Sequence, residues 1–189
     1  MNEHAVEPSV SSAHSTDTVR ERLRAGNARY LETSDPHLRK ETAEHGQHPY
    51  AIVICCSDSR VIPEQIFSAS LGELFVIRIA GNVLDRHQLG SIEYAAEHLG
   101  CHYVILLGHT GCGAVAAALS GGGSGYVQSI TDAILEATGS EQDPLAACRL
   151  NVAFGVRRLK AAFSQHPAIR AMRIDGAIYD ILSGEVTWL

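Results

Sequence analysis

The chain has 189 residues, 46% of them hydrophobic and 19% charged, and a formal net charge of −6. That balance fits one soluble globular domain with a sizeable core. An acidic chain without a Lys/Arg run argues against nucleic acid and anionic membrane as partners, and no apolar run is long enough to span a bilayer.

Residues 1–17 are polar and rich in Ser and His, which predicts a disordered tail ahead of a single domain over residues 18–189. The tail lacks the apolar core of a signal peptide and the Arg-rich character of a transit peptide. The five cysteines are an odd number, so reduced thiols in the cytoplasm are expected, not a disulfide framework. Asp17 or Thr18 is placed to cap a helix running through Val19, Leu23 and Tyr30. Residues 34–49 carry Pro36, Gly46 and Pro49 as breakers and read mostly as loop or short helix.

Ala51–Cys55, Leu74–Ile79 and Tyr103–Leu107 are short continuous apolar runs, the pattern of buried parallel strands. Helices are predicted between them, at Pro63 to about Ser68 and at Ser91–Leu99, the second ending at Gly100. A third should start near Gly113 and end before the flexible Ser120–Gly125. Two more follow, at about Val127–Ala137 and Pro144–Phe163. Residues 172–189 read as strand and turn, with Asp175-Gly176 and Ser183-Gly184 as turn signals. The expectation is therefore an α/β fold with a mainly parallel sheet of about four strands flanked by helices, and a C-terminal strand added at an edge.

This order places two motifs at neighbouring strand ends. Cys56-Ser-Asp58-Ser-Arg60 leaves the first strand, and Gly108-His109-Thr-Gly-Cys112-Gly113 leaves the third. Ligands of open α/β sheets collect in the crevice outside those ends. Cys56, His109 and Cys112 supply two sulfurs and one imidazole nitrogen, a zinc-type set with a fourth position open, as catalytic zinc sites keep it. Cys112 lies near a helix start, where free N–H groups favour a thiolate. Zinc lowers the pKa of bound water to ~7, but two thiolates cancel the ion's formal charge and weaken that effect. Asp58 is placed to accept a hydrogen bond from the resulting hydroxide, and Arg60 to hold Asp58 ionised and aimed. The same Asp58 can instead serve as a fourth ligand.

These residues resemble those of the β-class carbonic anhydrases. The similarity runs from Gly46-Gln-His-Pro49 through Cys56–Glu64, Gly72–Arg78 and Ile92–Ala95 to Gly108–Ala114, with Gly176–Asp180 and Ser183-Gly184 also family-like. The resemblance implies reversible hydration of carbon dioxide to bicarbonate and a proton by zinc-bound hydroxide. It implies one zinc per chain on Cys56, His109 and Cys112, and Asp58 with Arg60 as the catalytic dyad. Asp58 is also the fourth zinc ligand of the family's closed state. Gln47 matches a glutamine that donates to substrate, Phe75 and Tyr94 match apolar pocket residues contributed across a dimer interface, and Gly113 matches a glycine whose N–H lies near substrate. A homodimer or homotetramer is implied, its N-terminal helix lying across a neighbour. Val53 stands where some bacterial members carry a tryptophan of a regulatory bicarbonate site, so no such site is expected. The alternatives are a related zinc hydrolase of carbonyl sulfide or carbon disulfide, and a non-catalytic zinc-stabilised domain.

The remaining residues read as structural. Strand alternation turns Cys55 away from Cys56 and into the core. Cys101 and Cys148 have no partner motif. The nine histidines other than His109 are expected to face solvent, with His98 favouring a helix C-terminus. Gly72 and Gly81 read as turn residues, and Arg78 as an ion-pair residue in the core or near the site.

Overall fold

The computed structural model describes residues 16–167 and 169–189. Most of the expected tail lies outside them; Thr16 and Asp17 already belong to the first helix, α1 (Thr16–Thr33). By internal contacts the chain forms two compact units, one ending at Glu41 and one running Thr42–Leu189. In the first, α1 closes where the Ser34 N–H donates to the Tyr30 carbonyl at 2.9 Å. Asp35 then accepts from the His37 N–H at 2.8 Å and starts α2 (Pro36–His45) with proline in its first turn. The prolines and glycine of this stretch thus bracket a ten-residue helix instead of breaking it, because proline at a helix start loses no intrahelical bond.

The second unit is an α/β domain in the order β1 (Ala51–Cys55), α3 (Pro63–Ile66), β2 (Leu74–Arg78), α4 (Arg86–Leu99), β3 (Tyr103–His109), α5 (Gly113–Leu119), α6 (Val127–Thr138), α7 (Pro144–Phe163), β4 (Arg173–Tyr179) and β5 (Val186–Trp188). A 3₁₀ turn, Ala80–Asn82, joins β2 to α4. The sheet has five strands in the order β2-β1-β3-β4-β5. The first four are parallel and β5 is added antiparallel at the edge of β4, as expected. No described helix is long and apolar enough to cross a membrane.

Period-two alternation divides the strands between two cores. Ile52, Ile54, Val104, Leu106, Ile174 and Ile178 share one cluster with residues of α4 to α7. Val53, Cys55, Ile105, Leu107 and Ala177 form a smaller one with Val61. Ile52, Ile54, Leu106 and Leu107 have no exposed surface, and each such side chain contributes about 1.5–3 kcal/mol by leaving water. Burial pushes the Cys55 thiol up to about 12, as suits a core cysteine.

Helix ends follow local chemistry. Asp85 caps α4 by accepting from the His87 N–H at 2.8 Å, and the Gln88 side chain returns to the Asp85 N–H at 2.9 Å. This capping box starts α4 at Arg86, ahead of the predicted Ser91. Gly100 ends it in the left-handed region at φ 65°. Asp143 caps α7 through the Ala146 N–H at 2.7 Å.

One turn expectation is overturned. Asp175-Gly176 lies inside β4, opposite Ile105 and Leu106. Gly176 is demanded by packing: a Cβ there would stand 2.7 Å from Val152 Cγ1 of α7. Ser183-Gly184 does form the turn before β5, with Gly184 at φ 80°.

The β3–β4 pair also carries a charged contact. Tyr103 Oη and Arg173 Nε both donate to Asp175 Oδ2 at 2.9 Å. The Tyr103 hydroxyl, then Arg173, hold the Asp175 carboxyl below its ordinary range. Burial, then Asp175, push Tyr103 above its ordinary value. A depressed carboxyl stabilises the fold above its unfolded pKa and loses that contribution as pH falls through its folded value. A raised phenol stabilises below its unfolded pKa and loses it as pH rises through its folded value. Tyr103→Phe should therefore cost about 1 kcal/mol across a plateau from about pH 5 to 9, with the difference from wild type shrinking at both ends. Chemical denaturation across that range checks the shape.

Candidate metal centre

β1 ends at Cys55, so Cys56 is the first residue beyond the strand. β3 ends at His109, and the Thr110-Gly111 turn delivers Cys112 to the N-cap of α5. The turn needs glycine at Gly111, where φ is 65°. The Sγ atoms of Cys56 and Cys112 and a ring nitrogen of His109 converge within 4.8 Å of one another, all three residues buried. The two motifs that the sequence placed at neighbouring strand ends thus meet.

The electrostatics suit a cation. His109 Nδ1 faces the Thr110 carbonyl at 3.0 Å, which places its proton there and leaves Nε2 as a bare lone pair. Nε2 is buried without a hydrogen-bond partner. That is the arrangement of a metal-ligating histidine, oriented through its other nitrogen by a carbonyl. The Cys112 thiol shares its proton with Cys56, which pulls Cys56 well below the usual thiol range. Two soft sulfurs and one imidazole fit zinc.

Asp58 and Arg60 stand beside this cluster as a bidentate pair. Arg60 Nε donates to Oδ1 at 3.0 Å and Arg60 Nη2 to Oδ2 at 2.7 Å. The Arg60 N–H also donates to Oδ1, at 3.0 Å. These bonds hold the Asp58 carboxyl well below the ordinary carboxylate range. Asp58 is therefore in its Arg-paired arrangement. Arg60 Nη2 reaches further, to the Gly111 carbonyl at 3.2 Å, and so ties the first motif to the second.

Four contacts made by three residues had no signal in the sequence. Arg78, at the end of β2, donates to the Asp58 carbonyl at 2.7 Å and the Cys56 carbonyl at 3.3 Å, so it clamps backbone where an ion pair was one expectation. The Gly81 N–H donates to Cys56 Sγ at 3.3 Å. Asn151 on α7 donates to the Gly81 carbonyl at 2.9 Å. Each joins distant segments through backbone groups that every residue type possesses.

A family model for carbonic anhydrases matches residues 51–186. The chain belongs to the carbonic anhydrase family. The carbonic anhydrase of Mycolicibacterium smegmatis is 35% identical over 182 residues, covering 87% of this chain and 88% of that protein. The carbonic anhydrase of Pseudomonas aeruginosa is 34% identical over 160 residues, covering 74% and 73%. A tetrameric β-carbonic anhydrase of Sordaria macrospora superposes with TM-score 0.75 at 28% identity, over 92% of this chain and 97% of that one. The β-carbonic anhydrase CafA of Aspergillus fumigatus gives 0.71 at 30%, over 92% and 89%. The class is thus β, and the chain is a member of an enzyme family of carbonate dehydratases.

The expected substrate residues of this β-carbonic anhydrase are placed less closely. Gln47 lies exposed in the connection before β1, beside Gly72. Phe75 on β2 and Tyr94 on α4 pair at 6.3 Å between ring centroids, with Tyr94 49% exposed. Gly113 opens α5 and is exposed. Among the described histidines, His37, His45, His48, His87, His98 and His102 face solvent as expected. His166 does not: its Nε2 lies 3.3 Å from Glu93 and 3.5 Å from Glu97 of α4, and its side chain is only 23% exposed. The two glutamates are one turn apart on α4, and His166 lies against both.

Proposed function

We propose that this β-carbonic anhydrase catalyses the reversible hydration of carbon dioxide to bicarbonate and a proton, with one zinc ion per chain held by Cys56, His109 and Cys112. The observation that carries the reading is the buried, unpartnered His109 Nε2 facing two sulfurs beside an Arg-fixed carboxylate. Zinc held there would lower the pKa of a bound water towards ~7.

The chain's own residues supply the rest. Cys56 and Cys112 give up their shared proton when a cation binds. Asp58, kept ionised by Arg60, presents acceptor oxygens through neutral pH and takes a hydrogen bond from the water that reacts. The Arg60 fork fixes its direction, and the tether to Gly111 keeps the dyad in register with His109 and Cys112. Gln47 and the Gly113 N–H are the donors for the substrate oxygen that gains charge. Phe75 and Tyr94 serve as the apolar wall of the pocket of a neighbouring chain in a homodimer or homotetramer. Two observations support that assembly: α1 buries none of its residues although Val19, Leu23, Tyr30 and Leu31 are apolar, and Tyr94 is half-exposed. A cytoplasmic location is supported by the five free cysteines.

Stopped-flow hydration of carbon dioxide by zinc-loaded protein, from pH 6.5 to 9, tests the reading. Activity should rise with pH and fall on the order of a hundredfold in Asp58→Ala, the scale of a lost proton-handling group. No hydration at any pH, with one zinc per chain, would overturn the proposal and favour the sulfur analogues or a non-catalytic domain.

A further inference from the structure

We propose that Asn151 is a positioning residue for the metal centre: from α7 it grips Gly81, and so keeps the Gly81 N–H on the Cys56 sulfur. This inference rests on the zinc reading above. Asn151 Nδ2 donates to the Gly81 carbonyl at 2.9 Å, and the Gly81 N–H donates to Cys56 Sγ at 3.3 Å. The two bonds hold Gly81 from both sides of its Cα. All three residues are buried, with Asn151 6% and Cys56 5% exposed. In a dry interior a hydrogen bond to a thiolate is stronger than in water, and no solvent stands ready to replace it.

The surroundings of Gly81 make the grip specific. Its φ is +68°, where side chains are strained, and a Cβ would stand 2.8 Å from Ile134 Cδ1 and 3.1 Å from Ala114 Cβ. The residue is wedged against α5 and α6 while Asn151 reaches it from α7. Asn82 follows at φ 43°, itself in the left-handed region. Glycine adopts this conformation freely, but a residue with a side chain such as Asn82 does so at a cost, and the turn is held by a partner that fixes it. Asn151 is that partner, and it lies far along the chain from every ligand. Groups that orient metal ligands in this way typically change metal affinity 10–100-fold when removed.

A merely structural amide makes a different prediction, so one experiment separates the two roles. Wild type, Asn151→Leu and a packing control on the same helix, Val156→Ala, are loaded with cobalt(II) alone. The thiolate-to-cobalt absorption band and the loss of cobalt to a chelator are then measured. Without the Asn151 grip the Gly81 N–H is no longer held on the Cys56 sulfur, and a thiolate that loses a hydrogen bond has a lone pair of higher energy. The band of Asn151→Leu should therefore move to longer wavelength, and cobalt affinity should fall roughly tenfold, while Val156→Ala keeps the wild-type band. Should the leucine variant not fold, Asn151→Ser gives the same readout, its side chain falling short of the carbonyl. An unmoved band, or an equal shift in Val156→Ala, overturns the proposal. A wild-type protein with no thiolate-to-cobalt band overturns the metal reading itself, and this inference with it.

Discussion

Cys112→Ala is expected to lose bound zinc and carbon dioxide hydration together, with activity falling at least about a thousandfold. Among the described residues, Cys112 is one of three groups that converge on the centre, and it shares its proton with Cys56. Its removal leaves one sulfur and one imidazole, too few to retain the ion against a chelator. The fold should survive, because removing one buried sulfur costs only about 1 kcal/mol in packing. The variant should then match chelator-treated wild type in circular dichroism and melt within about 2–4 °C of it. Cys148→Ala is the comparison: Cys148 shares the same core cluster and is buried to the same degree, at 4% exposure. It should keep its zinc and its turnover. Retention of one zinc per chain by Cys112→Ala, with activity intact, would remove Cys112 from the ligand set.

The centre was legible because its chemistry is carried by residue types and by strand ends. Apolar runs marked β1 and β3, and the chain leaves each of them at a member of the Cys56–His109–Cys112 cluster. Alternation also separated Cys55 from Cys56 correctly: the two belong to opposite faces of the sheet. What was not legible depends on tertiary distance. Asp175-Gly176 has turn chemistry, yet Gly176 is needed where α7 presses on β4. Arg78 and Asn151 act on carbonyls, which leave no mark on the sequence. His166 carried no motif because its partners, Glu93 and Glu97, sit far away in the sequence on α4. Phe75 and Tyr94 were named through resemblance, and they lie together as an aromatic pair.

The largest stability effect should come from Gly108→Ala. Gly108 lies in β3 immediately before His109 and pairs with Ile178 of β4. A Cβ there would stand 2.6 Å from Val152 Cγ2 and 2.9 Å from Ile178 Cδ1. Its backbone is not left-handed, so the cost is one of space. Val152 is β-branched, has no exposed surface and sits in a helix, where one rotamer dominates, so it cannot turn aside. Either β3 or α7 must shift. Overpacking of this kind costs about 2–3 kcal/mol, and the melting temperature should drop by roughly 4–12 °C. Activity should fall further than stability accounts for, because β3 carries His109. Val152→Ala in the same chain opens the space, and the double variant should be more stable than the sum of the two single losses allows, by over about 1 kcal/mol. Additive losses would mean that α7 and β3 adjust independently. A strong coupling, with activity restored alongside stability, would mean that the depth at which α7 seats on the sheet also sets the position of the His109 ring.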